Sequence, residues 1–141
     1  MHVLVACEES QRVCISFREK GHEAYSCDIL DCSGGHPEWH IKQDVLPLLN
    51  GSCGFKTMDG AEHEIIGKWD LIIAHPPCTY LTSTANRWLD TGKYGAAAWE
   101  RRRNQMKAIS FFTNLSLLIA IKLPLRIRWA VCRAHIEKQI K

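Results

Sequence analysis

The stretch WDLIIAHPPC (residues 69–78) constrains the fold of this chain more than any other. Its apolar, β-branched centre reads as a strand over 69–75, and Pro76 and Pro77 end that strand at once. Proline lacks the N–H that a ladder requires and fixes φ, so a strand running into two prolines becomes a rigid strand-end loop. Cys78 lies just beyond the stop.

Three further runs read as strands. They are HVLVAC (2–7), EAYSCDI (23–29, ending near Asp28) and IKQDV (ending at Asp44). QRVCISFREKGH reads as a helix, with Ser10 as N-cap, Val13 and Phe17 on one face, Arg18 and Lys20 in the last turn and Gly21 as C-cap. Residues 96–115 read as a second helix, with Trp99, Met106, Ile109 and Phe112 roughly on one face, and SLLIAI (116–121) as a further strand. The segment 46–68 gives mixed indications, and there are no repeats. Strands alternating with helices predict an α/β domain with a mostly parallel sheet.

At 141 residues the chain suits one domain, and 46% hydrophobic with 23% charged residues is ordinary for a globular protein. A net charge of +3 is mildly basic and compatible with a nucleic-acid partner. The opening MHVLVACEES lacks a basic n-region, and LSLLIAIKLPL is too short for a membrane span and carries Lys122. A cytoplasmic protein without a membrane partner is expected. Its seven cysteines then read as reduced thiols rather than a disulfide framework.

In parallel sheets ligands bind beyond the carboxyl ends of the strands. The residues there are Cys7-Glu8-Glu9, Asp28, Asp44 and His75-Pro76-Pro77-Cys78. Asp28, 20 residues after Glu8, can accept hydrogen bonds from ribose hydroxyls, and Asp44 from an adenine amino group. Each could instead be a capping or turn aspartate. ACEES stands where a glycine-rich phosphate loop would be, and its two acids would repel a pyrophosphate. S-adenosylmethionine fits better, because Glu8 or Glu9 could meet its positive end. Cys78, on a rigid loop beside such a cleft, is a candidate nucleophile, with His75 and Arg87 as candidate neighbours. The alternative is a structural cysteine.

HPPCTYLT after a strand resembles the Pro-Cys catalytic loop of DNA cytosine-5 methyltransferases. LVACEESQRVCISFREKGHEAYSCDI resembles their opening strand, turn, helix and second strand. Over 3–47 and 69–95 the chain is more closely similar to phage and prophage proteins described as cytosine methylase-like. The resemblance implies a Rossmann-like methyltransferase domain over 1–121 that uses S-adenosylmethionine and acts on DNA. Cys78 would add to C6 of a flipped cytosine, activating C5 for the methyl group. Asp28 and Asp44 match the ribose and adenine acids, Cys7, Glu8, Glu9 and Ser10 stand at the turn beside the methionine moiety, and Pro76 and Pro77 shape the loop.

The sequence departs from that pattern at the first turn, which lacks glycines. It departs again where a strand should end in Glu-Asn, because Lys122 and Leu123 stand there. The basic tail, 122–141, resembles nothing in the family, so the C-terminal part is expected to be incomplete through truncation or a frameshift near residue 121, with activity lost. Two other enzymatic targets are the amino groups of adenine or cytosine, which need no thiol. A non-catalytic reading is a zinc site at Cys27, Cys32, His36 and His40, spaced C-x4-C-x3-H-x3-H. Another is a remnant binding DNA through loop 79–95, where Tyr80, Trp88 and Tyr94 interleave with Asn86, Arg87 and Lys93.

Overall fold

The computed structural model describes residues 1–50, 53–82 and 86–122. Four strands, β1 (His2–Ala6), β2 (Glu23–Asp28), β3 (His40–Lys42) and β6 (Leu71–Ala74), form one sheet in the order β3-β2-β1-β6. All three pairings are parallel. The apolar runs of β1 and β6 have a simple cause: both faces of the sheet are covered. Leu4 and Ala6 face a core with Tyr25, Ile41, Leu115 and Ile119, while Val3 and Val5 face another with Cys14, Ala24 and Ile73. Strands buried on both faces have no polar side, so they read as continuous hydrophobic runs.

Helix α1 (Arg12–Glu19) covers the Val3/Val5 face. Ser10 does not cap it. Gln11 occupies the cap position without a side-chain bond, and the capping oxygens come from Glu8, whose Oε1 and Oε2 accept from Val13 N at 2.7 Å and Cys14 N at 3.2 Å. A carboxylate there satisfies orphan N–H groups and matches the helix dipole. At the other end the C-cap is Lys20 rather than Gly21, which follows it at φ 78° and donates its N–H to the Arg18 carbonyl at 2.9 Å.

Helix α2 (Thr91–Lys122) is longer than the expected 96–115, and Gly95 interrupts it at φ 52°, ψ −127°, a geometry glycine adopts readily. Residues 116–121 are helical rather than a strand. Leu115 and Ile119, four apart, are both buried, and Phe111 and Leu118 pack beside them, so the helical period carries straight through the segment. The face also differs from the expected one: Trp99, Met106 and Ile109 are exposed, and Ala98 is the buried residue near the helix start. The ambiguous 46–68 segment forms a 3₁₀ turn (Leu46–Asn50) and an antiparallel hairpin of β4 (Cys53–Lys56) and β5 (Glu62–Ile65). The hairpin anchors through rings, with Phe55 5.0 Å from Tyr25 and 5.9 Å from Trp69. No helix among the described residues is long and apolar enough to cross a membrane. The tail from Leu123 lies outside the described residues.

Candidate functional site

The chain leaves β1 toward β2 on one side and returns on the other side as β6. Loops following two such strands diverge, and the gap between them is where open α/β sheets hold ligands. A cavity of about 490 Å³ lies at these strand ends, within the size range of small-molecule sites. Cys7 from just beyond β1, Asp28 from the end of β2, Asp44 from beyond β3 and Pro77 from beyond β6 all line it. Four residues singled out from separate segments of the sequence therefore meet in one place.

The carboxylates share a local geometry. Asp28 Oδ1 accepts from Leu30 N and Asp44 Oδ1 from Leu46 N, each at 3.0 Å. Both are thus turn aspartates and cavity-lining acids at once, each bonding its turn through Oδ1. The remaining wall is mostly apolar: Leu30, Val45, Phe111 and Ile29, which is 72% exposed.

The first turn is built without glycine. Cys7 adopts φ 59°, a left-handed conformation that costs an ordinary residue on the order of 1 kcal/mol. The result is a tight bend in which Cys7 N (2.7 Å) and Glu8 N (3.2 Å) both donate to the Cys27 carbonyl. Gln11, also left-handed and fully buried, then clamps the opposite loop: its Nε2 donates to the His36 carbonyl at 2.8 Å and its Oε1 accepts from His36 N at 3.0 Å. Gly34 passes so close that a Cβ would lie 2.6 Å from Gln11 Cβ and 2.7 Å from the Ser10 carbonyl. His40 completes the support, bridging Ser26 Oγ (2.8 Å) and the Leu30 carbonyl (3.0 Å) beneath the cavity rim.

Other expected residues lie apart from the main cavity. Glu8, Glu9 and Ser10 line a second cleft of about 310 Å³ with Cys7, Arg12 and His75. Glu8 spends both oxygens on α1, so Glu9, which accepts from Ser33 Oγ, is the acid left at this turn for a cationic group. Here His75 Nε2 is buried without a hydrogen-bond partner among the described residues. A polar ligand group in the cleft would satisfy it. Pro76 lines neither cavity, and Cys78 is exposed on the loop beyond.

The thiols differ sharply. Burial, reinforced by the negative charges of Asp28 and Asp44, pushes the Cys7 thiol up to about 12. Cys27 is likewise pushed up to about 12, mainly by burial. Both stay protonated near neutrality, whereas Cys78, one residue beyond the cavity-lining Pro77, is the exposed cysteine among the described residues.

The four residues spaced like zinc ligands do not converge. Cys27 points to the Gln43 carbonyl, His40 is held by Ser26 and Leu30, and His36 stacks on Trp39 at 3.9 Å and pairs with Glu38. Among the described residues no three His, Cys, Asp or Glu side chains form a group able to hold a metal. Sequence reasoning missed Gln11, Gly34 and Phe111. Gly34 had a visible cue in the Gly-Gly pair, but nothing marked Gln11, whose importance is a contact across 25 residues.

Fold and site together define an α/β protein with a mostly parallel sheet and a ligand-sized cavity at its strand ends. No protein family, curated protein or solved structure matches this chain.

Proposed function

We propose that this domain binds S-adenosylmethionine and is built for methyl transfer to cytosine C5 in DNA, with Cys78 as nucleophile. The observation that carries the reading is the convergence of Asp28, Asp44 and Pro77 on one cavity at the topological switch between β1 and β6. The residues fit the cofactor. Two carboxylates can accept from ribose hydroxyls and an adenine amino group, and Ile29, Leu30, Val45 and Phe111 offer apolar surface to a flat ring. The first turn has no phosphate cradle and carries acids, which suits a cationic, phosphate-free ligand.

When bound, the cofactor supplies an electrophilic methyl group. Cys78 Sγ, as thiolate, would add to C6 of the base and push the C5–C6 electron pair onto C5, making that carbon the nucleophile. Loss of the C5 proton to solvent water would re-form the C5–C6 double bond and expel the thiolate. Pro76 and Pro77 fix the loop that aims the sulfur. The expected Glu-Asn strand end has no counterpart among the described residues, where 116–122 belong to α2. On this reading the described residues supply cofactor binding and the nucleophile, and none of them stands in the place of the base-pairing glutamate.

Calorimetric titration of S-adenosylmethionine into wild type and Asp28→Ala tests this. Binding by wild type, weakened at least tenfold in the variant, supports it. No binding to wild type sinks it.

A further inference from the structure

Charge is distributed unevenly along this chain. Residues 1–85 carry six Lys or Arg against twelve Asp or Glu, and residues 86–107 carry six against two. The basic segment begins a few residues beyond Cys78 and runs into α2.

Its cations are paired with rings. The Arg101 guanidinium lies 5.2 Å from the Tyr80 ring, and Arg102 lies 5.7 Å from Trp99. Arg87 stands 4.9 Å from the Trp88 ring, and Lys93 stands 5.3 Å from Tyr94. These pairs are contiguous. Arg101 donates to the Thr79 carbonyl next to Cys78, Arg102 Nε donates to the Leu89 carbonyl at 3.1 Å, and the Trp88 and Tyr94 rings are 5.1 Å apart. A band of alternating cations and rings thus runs from the Cys78 loop across the start of α2. Its largest rings are open to solvent: Trp99 is 61% exposed and Trp88 41%.

Exposed indoles are costly on a surface with no use for them, and positive charge beside them selects an anionic, ring-bearing partner. Duplex DNA offers phosphates but keeps its base faces stacked. An unpaired strand offers both, and base–aromatic stacking with a cationic track is how such strands are held. We propose that this band binds single-stranded DNA, the bases stacking on Trp88 and Trp99 while Arg87, Lys93 and Arg102 turn from the rings to the phosphates. Each cation already sits at a ring, so one small movement delivers both contacts. This rests on the reading of DNA as partner in naming that nucleic acid, and it goes further in assigning an unpaired strand to a surface outside the cofactor cavity.

Fluorescence anisotropy on the full chain tests it, with a labelled oligothymidylate of about 15 nucleotides. The competitors are the duplex, an abasic strand of the same length and the corresponding oligouridylate. Expected are tighter binding to the single strand than to the duplex, at least tenfold weaker binding to the abasic strand, and affinity that falls with salt. The double variant Trp88→Ala/Trp99→Ala loses at least tenfold. Equal or tighter duplex binding, an abasic strand bound as well as the normal one, or an unaffected double variant overturns the proposal, and tighter oligouridylate binding overturns its assignment to DNA. The abasic comparison needs no substitution, so a misfolded variant leaves it decisive. S-adenosylmethionine titration of the same samples separates the two readings: strand binding without cofactor binding ends the methyl-transfer reading alone, and cofactor binding without strand binding ends this one alone.

Discussion

The cavity rim and the Cys78 loop meet at Pro77, but they are held in opposite ways. Behind the rim the strand-end turns are locked by buried side chains: Gln11, Glu8, Ser26 and His40 each bond backbone or one another inside the fold. The loop is tied by α2 side chains at the surface. Arg101 reaches the Thr79 carbonyl, Gln105 Nε2 reaches the Tyr80 carbonyl at 3.1 Å and Asn86 Oδ1 at 3.2 Å, and Arg102 reaches Leu89. Buried bonds leave an unsatisfied group when broken, whereas exposed ones are replaced by water at little cost. The rim is a preformed shape, and the loop is fastened by surface bonds that water can replace.

Gly34→Ala should break this contrast hardest. The added methyl meets Gln11 Cβ and the Ser10 carbonyl, so the clamp must shift, with a cost of about 3 kcal/mol in urea denaturation. A loss below about 1 kcal/mol would mean the rim is not locked. Glu8→Ala should cost about 2 kcal/mol by removing both acceptors at the start of α1, with Glu8→Gln recovering part of it. Equal losses in the two variants would show that the carboxylate acts by charge alone.

The thiols sharpen the comparison through pH. Cys7 and Cys27 ionise near 12 when folded, against an ordinary value of 9.0. Raised values favour the neutral thiol in the folded state, so this contribution is whole below about pH 9 and is lost as pH rises from about 9 toward about 12. Thermal midpoints should fall across that window, less steeply in Cys27→Ala. At neutral pH, iodoacetamide followed by peptide mapping should find Cys78 modified and Cys7 and Cys27 protected; the reverse pattern would remove Cys78 from its proposed role. The smallest effect belongs to Gln105→Ala. Stability should change by less than about 0.5 kcal/mol, while alkylation of Cys78 changes in rate as the loop is released. An unchanged rate would show that the loop is positioned without α2.

Strands β1 and β6 were legible because each is a short, continuous apolar run that the burial of both faces demands, whereas β3 is only His40–Lys42 and stops short of the expected Asp44. Asp28, Asp44 and Pro77 were legible as a site because the ends of parallel strands come together whatever the rest of the chain does. Residues 116–121 were misread because six apolar residues fit a strand and a helix equally, and only the partners of Leu115 and Ile119 decide. The exposed face of α2 was misread for a related reason: hydrophobicity marks a stripe, and the surface it meets determines whether that stripe is core.

The sequence by itself determined a mostly parallel α/β sheet and the acids and prolines at its edge, since both follow from local periodicity and from where strands stop. Only the tertiary structure decided that Glu8 serves the helix, that Gln11 clamps the loop carrying Gly34 and His36, and that Trp99 faces solvent. Each of those depends on a contact between residues distant in sequence or on which face a neighbour covers, and no local pattern encodes either.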